Sequence, residues 1–127
     1  MNVLLNGKEV ERDDIDVEQF LGKLVRLEYV NPREISIGYV VAVVFTKKYL
    51  WAVWYDVGCE CATEKKAVSK AIEASVKYKI EPRSFGGFDA SLKYLREKCR
   101  ALGFEDCPHT YIIMSDRLIK IDVIWRV

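Results

Sequence analysis

The chain of 127 residues is long enough for one domain with its own hydrophobic core, and we expect a single domain over residues 1–127. Hydrophobic residues make up 50% and charged residues 31% of the sequence, a balance that excludes extended disorder. The net charge of +1 gives no overall attraction to nucleic acid or to membranes, and no apolar run approaches the ~18 residues that span a bilayer.

Residues 2–11 predict a small β-hairpin. Asn6-Gly7, the dipeptide most favoured in two-residue hairpin turns, lies between two short apolar-containing stretches. Asp16 can then cap a short helix over residues 17–23, which Gly22 helps to end. The N-terminal residues lack the basic and long apolar regions of a signal peptide, so we expect a cytoplasmic protein.

Residues 24–30, 34–45 and 49–57 predict three antiparallel strands in a meander, because β-branched and aromatic residues dominate and helical periodicity is absent. Simple alternation in the second strand makes both of its faces apolar, with Tyr39, Val41, Val43 and Phe45 opposite Val40, Ala42 and Val44. A sheet with one hydrated face would alternate apolar and polar residues instead. The second face must therefore be covered by the N-terminal elements, a partner subunit or a ligand.

The meander over residues 24–58, ending in Trp54-Tyr55-Asp56-Val57-Gly58, resembles the first three strands of a Tudor or other SH3-like small barrel. Such barrels close with a short fourth strand, whereas a long helical pattern follows here. The resemblance implies only the three strands, and no binding residues are transferred from it.

Two amphipathic helices follow the meander. The first covers residues 63–79 with Thr63 as its N-cap and a stripe of Val68, Ala71, Ile72, Ser75 and Val76. The second covers residues 89–102, with Asp89 as its N-cap, Gly103 just after its end, and a stripe of Leu92, Leu95, Cys99 and Leu102.

Residues 110–116 and 117–127 predict a closing hairpin. In its second strand Ile119, Ile121, Val123 and Trp125 alternate with Lys120, Asp122 and Arg126, which is typical of one hydrated face. The predicted fold is therefore α+β: a mostly antiparallel sheet of about five strands with two helices packed on one face, plus the small N-terminal hairpin.

Four cysteines and one histidine raise the question of a metal site. Cys59, Cys61, Cys107 and His109 would supply three sulfur ligands and one nitrogen to zinc, although the one-residue spacing within each pair is shorter than zinc sites usually use. A disulfide between Cys107 and Cys59 or Cys61 is an alternative. The chain has only three Asn and one Gln among many charged residues, which resembles a thermophile composition, and disulfides persist inside thermophile cells. Plain reduced thiols are the third alternative.

Catalytic motifs are not recognisable in the sequence. A cysteine–histidine dyad would have to use His109 with Cys59 or Cys61, and no third orienting group is identifiable. Gly86-Gly87 lacks the downstream Gly-Lys-Ser/Thr of a phosphate-binding loop. The sequence therefore favours a protein that is not an enzyme.

The helical part of the chain is basic, with ten bases against five acids over residues 63–101. Cations on two neighbouring helices could contact a phosphate backbone, and each contact would add salt-dependent affinity. The alternative is a solvated surface with local ion pairs. The candidate nucleic-acid contacts are Lys65, Lys66, Lys70, Lys77, Lys93, Arg96 and Arg100.

Three functional hypotheses follow. The first is a protein-interaction module that forms a homodimer through the second apolar sheet face or through an aromatic rim of Tyr49, Trp51, Trp54 and Tyr55. The second is a nucleic-acid-binding protein that uses the basic helices. The third is a zinc- or disulfide-bearing metalloprotein or enzyme built on the cysteines and His109.

Overall fold

The computed structural model describes residues 2–45, 49–56, 63–101, 109–112 and 116–126, with the backbone alone described for 49–56, 109–112 and residues 64, 74, 99 and 101. The strands are β1 Asn2–Leu5, β2 Lys8–Glu11, β3 Lys23–Tyr29, β4 Glu34–Val44, β5 Tyr49–Asp56, β6 Arg83–Phe85, β7 His109–Ile112 and β8 Leu118–Arg126. The helices are α1 Glu64–Ile72, which continues into a π-helical turn Glu73–Lys77, and α2 Phe88–Ala101.

The predicted α+β class and the two helices on one face are confirmed, but the sheet is larger and mixed. In the described residues the sheet has eight strands. Seven follow the order β2-β1-β8-β3-β4-β5-β7, and the eighth, β6, pairs with β4. The pairs β1–β8 and β4–β6 are parallel, and the other five pairs are antiparallel. The predicted meander is present as β3, β4 and β5, embedded in this wider sheet.

The N-terminal hairpin is confirmed, and its turn anchors it to the sheet. Asn6 and Gly7 have φ angles of 51° and 83°, the left-handed pair that a two-residue hairpin turn requires. The Asn6 amide N–H donates to the Ile121 carbonyl at 2.9 Å, and its side-chain oxygen accepts from the Val123 amide at 2.8 Å. The predicted short helix is a 3-10 turn, Val17–Phe20, in which the Asp16 carboxylate accepts from the Glu18 amide at 3.0 Å.

Strand β4 is buried on both faces, and a β-bulge changes which residues share a face. The pairing with β5 shifts between Val40 and Ala42, so Val41 and Ala42 both point toward the helices. Val43 and Val40 pack on the opposite side. The simple alternation predicted for this strand therefore holds through Val41 and is wrong from Ala42 onward, because one extra residue at the bulge shifts the later residues to the opposite faces.

The N-terminal segment covers the second apolar face. Val3, Ile15, Val17 and Phe20 are all almost fully buried. They pack in one cluster with strand residues of the sheet, namely Val25, Leu27, Tyr29, Val40, Val43, Leu118 and Ile121. Of the three covers that the sequence left open, the N-terminal elements occupy this position, so the apolar face of β4 does not require a partner subunit.

Helix α1 packs on the sheet through Ala67 and Ala71, with Val68 partly buried beside them. Thr63 caps it as predicted, accepting from the Lys66 amide at 3.2 Å. Ala67 and Ala71 are buried, whereas Ile72 is 43% and Val76 is 65% exposed. The predicted stripe is therefore correct for Val68 and Ala71 and wrong for Ile72 and Val76, because the buried side of the helix is turned toward Ala67.

Helix α2 begins at Phe88, one residue before the prediction, so Asp89 lies in its first turn and is not the N-cap. Leu95 is fully buried and Leu92 is half-buried against the same core, as the predicted stripe required. The side chain of Cys99 and residues 102–108 lie outside the described part of the chain.

The predicted closing hairpin is wrong, because β7 pairs with β5 and β8 lies between β1 and β3. The hydrated face of β8 is confirmed by Lys120 and Asp122, whose charged groups are 3.6 Å apart. Ile119 is 36% exposed while Leu118 is buried, since the β3–β8 pairing is irregular between Glu28 and Tyr29. Residues 113–115 are not described.

Tyr39 holds a buried phenol without a hydrogen-bond partner in the described part of the chain. The residue is 2% exposed, its ring packs 6.3 Å from that of Trp125, and burial raises the pKa of its phenol. An unsatisfied buried hydroxyl costs about 1–3 kcal/mol, so we expect Tyr39→Phe to raise the free energy of unfolding by about 1 kcal/mol. Urea unfolding monitored by circular dichroism measures this change.

Tyr94→Phe is the matched control for this substitution, because the Tyr94 hydroxyl donates to the Glu81 carbonyl. Losing that hydrogen bond is expected to lower the free energy of unfolding by about 0.5–1.5 kcal/mol. If Tyr39→Phe destabilised the protein as much as Tyr94→Phe does, the phenol of Tyr39 would have to be satisfied in the folded protein.

Candidate nucleic-acid interface

The helical layer, defined as residues 63–101, contains all seven cations predicted to contact nucleic acid. Its two helices pack on the same face of the sheet, where Ala67, Ala71 and Leu95 join the core around β4. The layer carries ten bases against five acids, which leaves ten bases against fourteen acids in the remainder of the chain. The helical layer therefore has a net positive charge and the remainder of the chain a net negative one, although the whole protein is nearly neutral.

On α1, one carboxylate neutralises part of the positive charge. The ammonium groups of Lys70 and Lys77 lie 3.2 Å and 4.0 Å from the two carboxylate oxygens of Glu73. The i,i+3 and i,i+4 spacing brings these side chains together on the helix surface. Lys65 and Lys66 are exposed near the start of the same helix.

On α2, the buried positions fix the side that the helix presents to solvent. Ser91 and Leu95 are fully buried, so Lys93, Arg96 and Arg100 project from the opposite side and are exposed. These three cations line a shallow surface groove together with Asp89, Leu92 and Glu97. In the described residues, none of the three forms an ion pair with a carboxylate.

A second basic cluster surrounds Tyr94 on another side of α2. The Arg83 guanidinium and the Lys98 ammonium lie 5.4 Å and 5.0 Å from the centre of its ring, within range of a cation–π interaction. The Phe85 ring packs against it at 5.3 Å. Burial raises the pKa of the Tyr94 phenol and Glu81 adds to the rise, while Arg83 opposes it.

The sequence did not single out Arg83 or Tyr94 as members of a site. Arg83 reaches α2 because β6 pairs in parallel with β4 at Ala42, and the sequence did not predict this three-residue strand. A segment of three residues that follows a proline carries no alternation from which a strand could be inferred. Tyr94 could have been found from its i,i+4 spacing with Lys98, which puts both residues on the same side of α2.

The candidate metal ligands lie largely outside the described residues. Cys59, Cys61 and Cys107 are not described, and only the backbone of His109 is. His109 begins β7, which runs antiparallel to β5 with His109 opposite Ala52. Among the described residues, no group of three or more histidine, cysteine or acidic side chains could hold a metal ion. The zinc, disulfide and reduced-thiol alternatives therefore stay predictions.

Metal analysis and a thiol count under denaturing conditions distinguish these three alternatives. A zinc site predicts one metal ion per chain in protein purified without chelator, with affinity that falls at low pH as its ligands become protonated. A disulfide predicts two fewer titratable thiols than the four cysteines provide. Four titratable thiols and no bound metal would exclude both the zinc site and the disulfide.

The aromatic residues of the predicted rim, Tyr49, Trp51, Trp54 and Tyr55, all belong to β5. Residues 49–52 of this strand pair with β4 on one edge and with β7 on the other, whereas Trp54 and Tyr55 pair only with β4 in the described residues. Their side chains are not described, so their role in an interface remains a prediction.

Comparison with protein-family models, with curated proteins and with solved structures finds no match to this chain. In the described ranges, neither α1 nor α2 has the length and hydrophobicity needed to cross a membrane. Function therefore has to be argued from the charge distribution, packing and side-chain contacts of this chain itself.

Proposed function

We propose that the protein binds nucleic acid through its helical layer. The observation that carries this proposal is the separation of charge between the two parts of the fold: ten bases against five acids in the helical layer, and ten against fourteen elsewhere. Phosphates attract such a surface, and the release of condensed counterions makes the binding salt-dependent. The acidic remainder of the chain would repel the same ligand and so orient the protein on it.

Fluorescence anisotropy with a labelled mixed-sequence nucleic acid, measured over a series of salt concentrations, tests this proposal. We expect binding at low salt and a linear fall of the logarithm of the affinity with the logarithm of the salt concentration. The absence of binding at the lowest salt would eliminate the proposal, because electrostatic attraction is strongest there.

Two variants with the same loss of charge control for the effect of net charge. Lys65→Gln with Arg96→Gln removes two cations from the helical layer, and Lys8→Gln with Arg33→Gln removes two from the hairpin and the β3–β4 turn. The first pair should weaken binding at least about tenfold at about 50 mM salt, since it removes at least one phosphate contact, and the second should change it little. Equal losses would mean that the helical layer has no special role.

A homodimeric interaction module is the second candidate function, and one observation favours it. Ile72 and Val76 lie one turn apart on the same helical segment and are 43% and 65% exposed. An apolar pair of this kind can contribute to a small self-complementary contact. Light scattering after size-exclusion chromatography should then show a dimer that Val76→Lys disrupts. A monomer at high concentration would remove this candidate.

A further inference from the structure

We infer that the phosphate-contacting surface is the ridge of α2 formed by Lys93, Arg96 and Arg100, and that its ligand is the backbone of a nucleic-acid duplex, contacted without regard to base sequence. This inference rests on the proposed function and deepens it. It assigns the binding to one of the two helices and excludes base recognition by this ridge.

The spacing of the ridge suits a phosphate backbone. Lys93, Arg96 and Arg100 follow one another at three and four residues, so they align along one side of the 14-residue helix. At a rise of 1.5 Å per residue the ridge is about 10 Å long, which is roughly the axial rise of three base pairs. Burial of Ser91 and Leu95 fixes the rotation of α2 and holds the ridge outward.

The cations of the ridge are also more available than Lys70 and Lys77 of the first helical segment. Glu73 already pairs with Lys70 and Lys77. In the described part of the chain, Lys93, Arg96 and Arg100 have no such carboxylate partner. A cation that is not paired beforehand exchanges only solvent and counterions for a phosphate, so its contact contributes more affinity.

Among the described residues that line the groove at the ridge, none is aromatic, so none offers a ring on which a base could stack. Tyr94 is the nearest aromatic residue on α2, but Arg83 and Lys98 lie over its ring and its hydroxyl is bonded to the Glu81 carbonyl. Proteins that bind single strands combine cations with exposed aromatic rings. Cations without such a ring favour the phosphates of a duplex.

The test compares two triple variants that lose the same charge. The α2 variant has glutamine in place of Lys93, Arg96 and Arg100. The α1 variant has glutamine in place of Lys65, Lys66 and Lys77. Glutamine is a good helix former, and circular dichroism verifies the fold. For a mixed-sequence duplex, three lost contacts should make the salt dependence shallower by about 2.7 and weaken binding on the order of tenfold each at about 50 mM salt. The α1 variant should lose much less.

Glu97→Gln provides a test that does not depend on losing contacts. It removes a carboxylate from the groove beside the ridge, so we expect the duplex affinity to rise about two- to fivefold, the size of one screened charge interaction. An unchanged or lower affinity would contradict the position of the ridge.

The outcomes distinguish failure of the proposed function from failure of the assignment to α2. If the wild-type protein does not bind nucleic acid at low salt, the proposed function fails. If it binds but the α1 variant loses as much affinity as the α2 variant, or more, only the assignment to α2 is overturned. Tighter binding to a single strand of equal length, or different affinities for duplexes of different sequence, would overturn the duplex-backbone ligand.

Discussion

Replacing Phe20 with alanine is expected to lower the free energy of unfolding by about 3–5 kcal/mol. Phe20 is fully buried and belongs to the cluster that the N-terminal segment forms with Val40 and Val43 of the central strand. Truncation removes the buried ring and leaves a cavity, because the surrounding strands can only partly relax. This is a large part of the 5–15 kcal/mol that typically stabilises a domain, so urea unfolding should show a much lower midpoint.

Phe45→Ala is the matched control, since it deletes the same side chain from a position that is 50% exposed. Less apolar area is buried there, so its cost should stay near or below about 1 kcal/mol. If Phe20→Ala cost no more than Phe45→Ala, the N-terminal segment would not be the cover of the second sheet face. That face would then need another cover, such as a partner subunit.

Leu95→Ala is the second substitution with a large expected effect, on the opposite side of the sheet. Leu95 is fully buried and joins α2 to the core that includes Tyr39, Ala67 and Ala71. We expect the free energy of unfolding to fall by about 2–5 kcal/mol, the range for leucine-to-alanine changes in well-packed cores. Thermal and urea unfolding both measure it.

Leu4→Ala controls for this change, because Leu4 is 43% exposed on β1 and loses little buried area on truncation. Comparable losses for the two variants would mean that α2 is not docked through Leu95. That result would also weaken the nucleic-acid proposal, because the ridge of Lys93, Arg96 and Arg100 is defined by the face that Leu95 buries.

Local features of the fold could be predicted from the sequence because their causes lie within a few residues. The Asn6-Gly7 turn, the Asp16 cap and the Thr63 cap each depend on one side chain and its neighbours, and all three are present. The meander was predictable for the same reason, since its strands follow one another with short connections.

Features that depend on distant partners could not be predicted in this way. The bulge at Val41 arises in the pairing of β4 with β5, and no local residue signals it. Strand β6 pairs with the part of β4 that extends beyond the end of β3. Strand β8 pairs with β3 and β1 instead of with β7, the strand that precedes it in the sequence. Periodicity specifies which face of a strand is apolar, but it does not specify the neighbouring strand.

The candidate site shows the same division. Its charge was readable from composition, because ten of the twenty bases fall in residues 63–101. Composition does not show that the cations of the two helices differ in how far they are paired. That difference depends on which cations pair with Glu73 and on which residues face the sheet. In α1 the buried side is turned toward Ala67, which leaves Ile72 and Val76 exposed, whereas the buried position of Leu95 followed the predicted stripe of α2.

Amide chemical shifts of isotopically labelled protein, followed by NMR during titration with a mixed-sequence duplex at low salt, test the central claim most directly. The largest shift changes are expected along residues 93–100 of α2, with little change in β1 and β2, whose surroundings carry the acidic residues of the N-terminal segment. Added salt should reverse the changes. Changes centred on the N-terminal hairpin, or none at low salt, would contradict the helical layer as the nucleic-acid surface.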